Sequence, residues 1–456
     1  MERRRVRYKL FGVLAVVLTL LFVVAACGGG EEAAPAEEPP AATTEEAPPA
    51  TEEAPPATEE APPAETEAAP AQGGLVESVE VPGVGTIFAD PAQIDPAVQA
   101  AALDQENWAF PVTFIDCTSP DVDPNGCVPK TPDAEIPGVY TPLPVAEITQ
   151  PWNVCVSFPH LKDAYWVASN YGVVAESGRD GIKMQLVEAG GYTNLAKQLS
   201  QLDNCVAQGA QAVVLSAISY DGDNAKADEI VGKGIFVIDH VNGISSSTPQ
   251  ARSMITYYKM GYAAGEYLAG LGQPVKVAWF PGPPGAGWVE TSNQGFVDAT
   301  AGSQVEIVDT KYGDTGKDVQ LGLIENVLEA NPDINYIAGN AVAAEAAVSA
   351  VAERGLEGQV GIVADYLIPT TFDFIEEGKI NCSPSDQNVM QGRIAIDQAV
   401  RLLEGKPLVS GYASERAEPH AVLVCGPGAG ENDNLDAFVF NATFAPPEFK
   451  PTFTVG

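Results

Sequence analysis

The chain has 456 residues, 45% of them hydrophobic, and carries a formal net charge of -37 at neutral pH. A chain of this length and apolar content can build two or three compact units with a large core. Its strong negative charge repels nucleic acid and anionic membrane surfaces, which argues against both as partners of the folded protein. With only three histidines and no Cys-x-x-Cys spacing, the sequence also argues against a zinc site.

Residues 1–26 have the pattern of an export signal. Five basic residues within positions 3–9 precede an apolar run at positions 10–24, which is too short for a membrane-spanning helix. The sequence Val-Ala-Ala-Cys that ends at Cys27 resembles a bacterial lipobox, which implies cleavage before Cys27 and lipidation of its sulfur. We therefore predict a lipoprotein on the outer face of the cell membrane, anchored through Cys27. A plain signal peptide followed by an unmodified cysteine is the alternative.

Residues 27–72 have the composition of a linker. From Glu31 to Pro70 the sequence is almost entirely Ala, Pro, Glu and Thr, and a seven-residue unit with paired prolines recurs. Because proline lacks an amide donor and blocks the helix, the repeat predicts an extended, charged and disordered spacer instead of a coiled coil. Residues 73–150 are rich in Pro, Asp and Val and show no regular period. We predict that they form an irregular N-terminal extension that packs on the main domain.

From Trp152 onward, short apolar, β-branched runs alternate with segments of helical period. This alternation predicts parallel sheets flanked by helices, and the two series of strands predict an α/β fold of two lobes with a seam near 255–259. Lobe 1 covers residues 151–254, completed by about 387–405, and lobe 2 covers residues 255–386, completed by about 406–456. The predicted strands are Asn153–Phe158, Ile182–Glu188, Ala212–Ala217, Ile235–Asp239, Val275–Phe280, Val305–Asp309, Ile334–Ala338 and Val360–Ala364; the predicted helices are Asn194–Gln208, Tyr262–Leu271, Lys317–Ala330, Val342–Arg354 and Asn388–Leu403.

Motifs of catalysis and of nucleotide binding are missing from the sequence. The glycine-rich stretch 282–288 follows a predicted strand but lacks the Lys-Ser/Thr ending of a phosphate-binding loop. Neither Gly-x-Ser-x-Gly nor His-Glu-x-x-His occurs. His160, His240 and His420 are widely separated, although sequence order does not decide whether a triad assembles in space. We predict a binding protein with no catalytic residue, no metal and no cofactor.

In doubly wound sheets, ligands bind beyond the carboxyl ends of the strands, so the loops that follow the predicted strands are the candidate site. These loops are rich in tyrosine, tryptophan and aspartate, and poor in the arginines that grip carboxylates or phosphates. Aromatic rings with an acid suit a cation, a methylated amine or the face of a sugar. In the competing interpretations, Asp163 merely caps a helix with core aromatics, and half of the tyrosines line the hinge. The candidate ligand-binding residues are Asp163, Tyr165, Trp166, Tyr192, Tyr220, Asp239, Tyr257, Trp288, Asn340, Asp365, Tyr366 and Asp386.

Several blocks of sequence between residue 150 and the end of the chain match one family in the same order. They are Trp152–Cys155, Phe158–Trp166, Asn170–Gly172, Glu188–Asn194, Met260–Leu268, Ala341–Ala347 and Lys450–Val455. The blocks resemble members of the type 1 periplasmic-binding-protein family that bind trimethylamine N-oxide and present it to a membrane sensor kinase. Residues 1–150 lie outside this resemblance.

The resemblance implies a two-lobed domain with a ligand cleft, and a pocket role for Asp163, Tyr165, Trp166 and Tyr192. At the seam this chain reads Tyr-Tyr-Lys at 257–259 where the family reads Trp-Tyr-Trp, and this departure weakens the case for trimethylamine N-oxide itself. Other members of the family bind sugars, and many serve transport. Two roles therefore stay open: presentation of a methylated amine to a sensor kinase, or delivery of a sugar, polyol or methylated amine to an ABC permease.

Six cysteines besides Cys27 allow many disulfide pairings in an exported protein. Cys117 and Cys127 flank a turn-rich stretch, which suits a local loop closure. Cys155 and Cys205 fall where the family has cysteines, so the resemblance implies that these two pair. The predicted disulfides are then Cys155–Cys205, Cys117–Cys127 and Cys382–Cys425.

Overall fold

A computed structural model describes residues 75–456 of the chain. The predicted signal peptide, the lipidated Cys27 and the predicted linker at 27–72 lie outside these described residues. Within the described part, two large sheets and their helices form two lobes. No helix between residues 75 and 456 is long and apolar enough to cross a membrane.

The segment that precedes lobe 1 is more regular than its composition predicts. It contains β1 (Ser78–Val81), β2 (Gly85–Phe88), α1 (Pro96–Leu103), β3 (Phe110–Asp116), β4 (Val122–Asp123), β5 (Val128–Pro129) and β6 (Ile136–Tyr140). β3 pairs with β6 and continues the sheet of lobe 1. These strands were not predicted because they contain prolines, which are rare in strands. Pro111 lies beyond the part of β3 that pairs with lobe 1. Pro137 lies in the edge strand β6, where a missing amide donor costs little. The prediction of an irregular extension is therefore corrected.

Lobe 1 alternates strands and helices, because its short β-branched runs are buried on both faces of a parallel sheet. Asp163 caps α2 (Ala164–Asp180) by accepting a hydrogen bond from the Trp166 amide, and Gly181 ends the helix with a φ of 64°, a left-handed conformation that glycine adopts freely. The remaining elements are β7 (Asn153–Phe158), β8 (Lys183–Glu188), α3 (Leu195–Ala207), β9 (Ala212–Leu215), α4 (Asn224–Gly232), β10 (Phe236–His240) and β11 (Ala251–Ser253).

Lobe 2 repeats this alternation after a single crossing of the chain at residues 254–256. Its core contains mainly alanine, valine, isoleucine and leucine, with fully buried alanines on one helix allowing close packing on the sheet. Its elements are α5 (Tyr257–Gly270), β12 (Val275–Phe280), α6 (Gly287–Thr300), β13 (Val305–Thr310), α7 (Lys317–Ala330), β14 (Tyr336–Gly339), α8 (Ala341–Glu353), β15 (Gly361–Ala364), α9 (Pro369–Glu376) and β16 (Cys382–Ser385).

After β16 the chain returns to lobe 1 and then visits both lobes. α10 (Asn388–Leu403) packs on α2, where a Cβ at Gly172 would lie 2.2 Å from the Val389 carbonyl oxygen. The later elements are β17 (Glu415–Pro419), β18 (Val422–Cys425), α11 (Phe440–Thr443) and β19 (Thr454–Val455). Of the three strands, β18 joins lobe 2, whereas β17 and β19 join lobe 1. The prediction that residues 406–456 complete lobe 2 is therefore corrected. The sequences of these short strands do not reveal with which distant strand each one pairs.

The order of the strands places the loops that could form a site. The sheet of lobe 1 runs β19-β8-β7-β9-β10-β11-β17-β3-β6, and that of lobe 2 runs β13-β12-β14-β15-β16-β18. The strands in the middle of both sheets are parallel, and antiparallel strands are added at the edges. Parallel strands direct their carboxyl ends to the same edge, so the loops that follow them converge there. The predicted two-lobed α/β architecture is confirmed.

Three disulfides join the cysteines in the predicted pairs, Cys117–Cys127, Cys155–Cys205 and Cys382–Cys425. Cys155 lies on β7 and Cys205 on α3, with their Cα atoms 6.0 Å apart. The third bridge joins β16 to β18, where the two cysteines are register partners.

Replacing both Cys155 and Cys205 with alanine is expected to lower the free energy of unfolding by about 4 kcal/mol. The bond closes a loop with a sequence separation of 50 residues, and opening it restores the conformational entropy of the unfolded chain. Urea unfolding of the variant and of the unmodified protein, followed by circular dichroism, measures the difference. A loss below about 1 kcal/mol would show that the bridge does little to restrain the unfolded chain.

Candidate ligand-binding site

A cavity lies between the two lobes, at the carboxyl ends of the parallel strands. We call it the aromatic cavity, because six of its nine lining residues are aromatic. Its volume, taken as the space open to the centre of a water-sized sphere, is about 10 Å³, which is room for about one water molecule. The lining residues are Asp163, Tyr165, Trp166, Tyr192, Asn242, Tyr257, Trp288, Thr315 and Tyr366.

The first turn of α2 forms the wall on the side of lobe 1. The Asp163 carboxylate accepts a hydrogen bond from the Trp166 amide at 3.2 Å, which fixes the start of the helix. Tyr165 and Trp166 follow in the first turn, are 5% and 3% exposed, and have ring centroids 5.4 Å apart. Trp166 also packs on Phe158 with a centroid distance of 4.9 Å. The helix cap, the core packing and the cavity lining thus involve the same residues.

The start of α6 forms the opposite wall, on the side of lobe 2. The Trp288 indole Nε1 donates a hydrogen bond to the Tyr192 hydroxyl of lobe 1 at 3.2 Å. The Trp288 ring lies 5.9 Å from the rings of both Tyr257 and Tyr366. Aromatic pairs at these distances attract each other through their edges and faces, so the rings form one connected lining.

Contacts at the rim of the cavity also join the lobes. His160 Nε2 lies 3.2 Å from Thr315 Oγ1, and the Lys162 ammonium lies 3.4 Å from the Asp314 carboxylate. Each pair has one member in each lobe. Because the two walls meet only when the lobes approach, the structure represents a closed form of the cleft.

Two lining residues, Asn242 and Thr315, were not among the predicted site residues. The Asn242 side-chain amide donates to the Ala217 carbonyl at 2.7 Å and to the Tyr192 hydroxyl at 3.1 Å. The preceding Val241 has a φ of 65°, which a β-branched residue rarely adopts and which is typical of strained turns at binding sites. Asn242 could have been considered because it lies in the loop after β10, and such loops form the candidate site. A single sequence, however, does not reveal which residue of a loop faces the cleft.

Five of the twelve predicted binding residues do not line the aromatic cavity, and for two the structure gives another role. Asp239 is fully buried and forms an ion pair with Arg252, so its carboxylate compensates a buried charge in lobe 1. The Asn340 side chain caps α8, because its Oδ1 accepts from the Ala343 amide at 3.0 Å, while its Nδ2 donates to the Phe280 carbonyl at 2.9 Å. Asp239 and Asn340 therefore do not line the aromatic cavity, and these structural roles argue against the prediction that they bind ligand.

Tyr220, Asp365 and Asp386 lie near the aromatic cavity but do not line it. Tyr220 lines a neighbouring, larger cavity. Asp365 Oδ2 accepts a hydrogen bond from the Ser292 hydroxyl at 2.8 Å. Asp386 lies near Tyr165, but neither of its oxygens reaches hydrogen-bond geometry with a partner within residues 75–456. The local backbone turn after a strand decides whether a side chain faces the cleft or the underside of the sheet. A role of these three residues in ligand binding stays a prediction.

Removal from bulk water changes the titration of the groups around the aromatic cavity. It raises the pKa of Asp163 to about 6, and it raises the pKa values of Asp365 and Asp386 to about 7 each. It lowers the pKa of His160 to about 4, so this imidazole is neutral near pH 7. A cation in the cavity would favour the ionised form of Asp163, the one of these three carboxyl groups that lines it.

The chemistry of the lining matches a small cation or a methylated amine. Aromatic faces attract positive charge through the ring quadrupole, most strongly when water is excluded. Neither arginine nor lysine is among the nine lining residues. No group of three or more histidine, cysteine, aspartate and glutamate side chains that could hold a metal ion occurs in the described part of the chain.

Comparison with known proteins gives consistent matches. Residues 154–407 match the family model described as a periplasmic binding protein domain. The periplasmic protein TorT of Escherichia coli (strain K12) is 33% identical over 304 residues, which cover 66% of this chain and 84% of TorT. A solved ABC transporter solute binding protein from Bradyrhizobium sp. BTAi1, with bound bis-tris, is 44% identical with a TM-score of 0.60, covering 75% of this chain and 98% of that chain.

The structure of the TorS sensor domain in complex with TorT, solved in the presence of TMAO, is a further match. It is 29% identical with a TM-score of 0.58, and the alignment covers 66% of this chain and 99% of that chain. The resemblance inferred from the sequence blocks is confirmed by these matches. The chain belongs to the periplasmic binding protein family, as a TorT-like solute-binding protein with a ligand cleft between its lobes.

Proposed function

We propose that the protein binds a small methylated amine in the aromatic cavity, with trimethylamine N-oxide as the first candidate. In this proposal the closed form is then presented to a membrane partner, and no reaction is catalysed. One observation carries the proposal: six aromatic rings from both lobes enclose a single small cavity beside which Asp163, Asp365 and Asp386 lie. Methyl groups spread the positive charge of a nitrogen over an apolar surface, which suits aromatic faces in a dry site.

The size and bonding of the cavity favour a methylated amine over a sugar. The volume of about 10 Å³ holds about one water molecule, so any ligand requires side chains to move, and a small methylated amine requires less movement than a sugar ring. A sugar also needs several polar partners for its hydroxyl groups. Here several polar groups of the lining are already bonded to one another, as in the 2.6 Å hydrogen bond between the Tyr165 and Tyr257 hydroxyls.

The departure from the family pattern at 257–259 affects the aromatic cavity at one position. Tyr257 lines the cavity and keeps an aromatic ring there. Lys259 lies outside the lining, and its ammonium pairs with Glu135 of the N-terminal extension. The loss of the second tryptophan therefore leaves the number of rings around a ligand unchanged, which supports the retention of a methylated-amine ligand.

Two membrane partners are consistent with the relatives. TorT has been solved in complex with the TorS sensor domain, which supports presentation to a sensor kinase. The match at 44% identity is to an ABC transporter solute binding protein, which supports delivery to a permease as the second candidate. A sensor kinase gene beside this gene would favour the first role, and genes for a permease and an ATPase would favour the second.

Isothermal titration of the purified protein with trimethylamine N-oxide, glycine betaine, ribose and bis-tris tests the proposed ligand class. We expect saturable binding of at least one methylated compound and weaker binding, or none, of ribose. Tighter binding of ribose than of every methylated compound would contradict the proposal and favour sugar transport.

The affinity for tetramethylammonium, whose charge does not titrate, is expected to fall as the pH drops below about 6. The pKa of Asp163 is raised to about 6 by its removal from water, so its negative charge is lost below that pH and with it the attraction for the cation. Titrations between about pH 5 and pH 8 measure the effect. Asp163→Asn keeps a helix-capping side chain and is the matched control.

The control separates Asp163 from the other acids of the site. Asp365 and Asp386, with pKa values raised to about 7, add to the slope in both proteins. The difference between the protein and its Asp163→Asn variant therefore isolates the contribution of Asp163. Equal slopes would show that Asp163 does not contact the ligand's charge.

We also propose that Cys27, which lies outside the described residues, carries the lipid anchor. Two or more acyl chains on this residue would hold the protein stably, since a single chain holds only marginally. Mass spectrometry of protein extracted from the membrane should show a modified N-terminal Cys27. Release of the protein into the medium with an unmodified Cys27 would contradict the anchor.

A further inference from the structure

Five residues that line the aromatic cavity carry a hydroxyl group, and four of these hydroxyls have hydrogen-bond partners. The four bonded hydroxyls belong to Tyr165, Tyr192, Tyr257 and Thr315. The fifth belongs to Tyr366, and it has no hydrogen-bond partner in the part of the chain that the structure describes. The Tyr366 hydroxyl is therefore the one hydroxyl of this lining that is not bonded to residues 75–456.

The Tyr366 hydroxyl also differs from the other unbonded polar atoms beside the cavity, because it keeps accessible surface. The unbonded oxygens of Asp365 and Asp386 are closed to a water-sized sphere, whereas the Tyr366 oxygen is not. Tyr366 as a whole is only 4% exposed and lines the aromatic cavity. The accessible surface of its hydroxyl therefore faces that cavity, where a ligand can reach it.

The turn after β15 and two aromatic contacts hold Tyr366 between the lobes. The Asp365 amide donates a hydrogen bond to the Gly339 carbonyl at 2.9 Å, which fixes the backbone just before Tyr366. The Tyr366 ring meets the Tyr165 ring of lobe 1 edge to face at a centroid distance of 5.1 Å, and the Trp288 ring of lobe 2 at 5.9 Å. Because one of these contacts crosses to lobe 1, the hydroxyl faces the opposite wall only in the closed form.

The chemistry of the Tyr366 hydroxyl suits an acceptor atom on a ligand that is positively charged elsewhere. Burial and the charge of Asp163 raise the pKa of Tyr366 well above its ordinary value, so the hydroxyl keeps its hydrogen near pH 7. A hydroxyl without an acceptor in a closed space costs free energy, which an acceptor on the ligand recovers and a methyl group does not. The Asp163 carboxylate in the opposite wall disfavours a ligand with a net negative charge.

We propose that Tyr366 is a specificity-determining residue, whose hydroxyl donates a hydrogen bond to an oxygen bound to the methylated nitrogen of the ligand. The inference rests on the proposed function and assigns to one side chain the distinction between an N-oxide and a quaternary ammonium ion of the same shape. The methyl groups contact the surrounding rings, and the positive nitrogen lies toward Asp163. In so small a cavity, only an acceptor next to the nitrogen reaches the hydroxyl.

Titration of the purified protein and its Tyr366→Phe variant with two ligands tests the proposal. Trimethylamine N-oxide and tetramethylammonium have nearly the same shape and differ by an oxygen or a fourth methyl group on the nitrogen. Tyr366→Phe keeps the ring and removes the hydroxyl. It should weaken the binding of trimethylamine N-oxide about tenfold and change the binding of tetramethylammonium by less than about twofold.

The matched control is Tyr267→Phe, which removes a hydroxyl from a buried tyrosine of lobe 2 that does not line the aromatic cavity. This variant should bind both ligands like the unmodified protein. Unchanged binding of tetramethylammonium by Tyr366→Phe also shows that the rings around the cavity keep their arrangement. An equal loss of affinity for both ligands in Tyr366→Phe would overturn the proposal.

The melting temperature without ligand distinguishes a ligand contact from a structural role. Because the Tyr366 hydroxyl has no partner within residues 75–456, Tyr366→Phe breaks no hydrogen bond there. Its melting temperature should therefore equal or exceed that of the unmodified protein. A clear fall in melting temperature would show that the hydroxyl supports the fold and would count against the proposal.

The two ligands also separate failure of this inference from failure of the proposed function. If the unmodified protein and Tyr366→Phe bind both ligands with the same affinities, the role of Tyr366 is wrong and the proposed function stands. The same conclusion follows if the protein binds tetramethylammonium but not trimethylamine N-oxide. Binding of neither ligand would contradict the proposed function and this inference with it.

Discussion

Replacing Glu176 with alanine is expected to lower the free energy of unfolding by about 3–5 kcal/mol. Glu176 lies in α2 and is fully buried. Its carboxylate accepts hydrogen bonds from Arg179 Nη1 at 2.9 Å and from Arg393 Nε at 2.8 Å. The variant leaves the largely buried Arg393 guanidinium without a carboxylate partner in the part of the chain that the structure describes, while Arg179 keeps its pair with Asp180. An uncompensated buried charge is strongly destabilising. Chemical unfolding followed by circular dichroism measures the loss.

The same carboxylate also attaches the N-terminal extension to lobe 1. Trp108 Nε1 donates to its two oxygens at 3.1 and 3.0 Å, and the Arg393 guanidinium lies 4.7 Å from the centroid of a Trp108 ring. Limited proteolysis of the Glu176→Ala variant should therefore cleave the extension earlier than in the unmodified protein. The control is Glu229→Ala, because Glu229 is an exposed carboxylate with surface ion pairs, which contribute little to stability. Equal unfolding midpoints for the two variants would contradict an anchoring role for Glu176.

The strand and helix pattern after Trp152 could be predicted because each element there carries its own periodic signal. The predicted strand Asn153–Phe158 and the predicted helix Asn388–Leu403 have the observed bounds. A predicted strand boundary differs from the observed one where a residue is buried but does not belong to the strand. Ile334 was assigned to a strand because it is apolar, and it is indeed 5% exposed, but the strand begins at Tyr336.

The N-terminal extension and the tail could not be predicted in the same way, because their strands are defined by remote partners. Thr113 of β3 pairs with Glu418 of β17, and Thr454 of β19 pairs with Gln185 of β8. Such short strands gain stability from an existing sheet rather than from their own sequence. These runs are short and several are interrupted by proline, so they give no period to detect.

The candidate site could be predicted as a set of loops but not side chain by side chain. Asp239 lies near the end of β10 and Asn242 in the loop that follows, and only Asn242 lines the aromatic cavity. The reversal at Val241, with its φ of 65°, decides which of the two faces the ligand space. Asp239 is instead drawn to Arg252, a partner whose position depends on the folded sheet. The sequence shows the residue types at such a loop, whereas the fold determines their directions.

Replacing Trp288 with alanine is expected to weaken the binding of trimethylamine N-oxide by about 30- to 100-fold. The indole lines the aromatic cavity, and its Nε1 bonds to the Tyr192 hydroxyl of the opposite lobe at 3.2 Å. The variant loses an aromatic face that contacts the ligand and also a contact that only the closed form makes. Because the ligand binds the closed form, both losses lower its affinity. Isothermal titration measures the change.

Two matched variants separate these contributions from a general loss of packing. Trp288→Phe keeps an aromatic face but lacks the N–H donor, so its affinity should fall by about three- to tenfold. Trp279→Phe changes a fully buried tryptophan of lobe 2 that stacks on Phe296 with a centroid distance of 4.0 Å and does not line the cavity. Trp279→Phe should lower the melting temperature without changing the affinity, since the Trp279 side chain packs in the core and does not contact the cavity. Wild-type affinity in a folded Trp288→Ala variant would place the ligand outside the aromatic cavity, because a methylated nitrogen enclosed there loses binding energy when an adjacent aromatic face is removed.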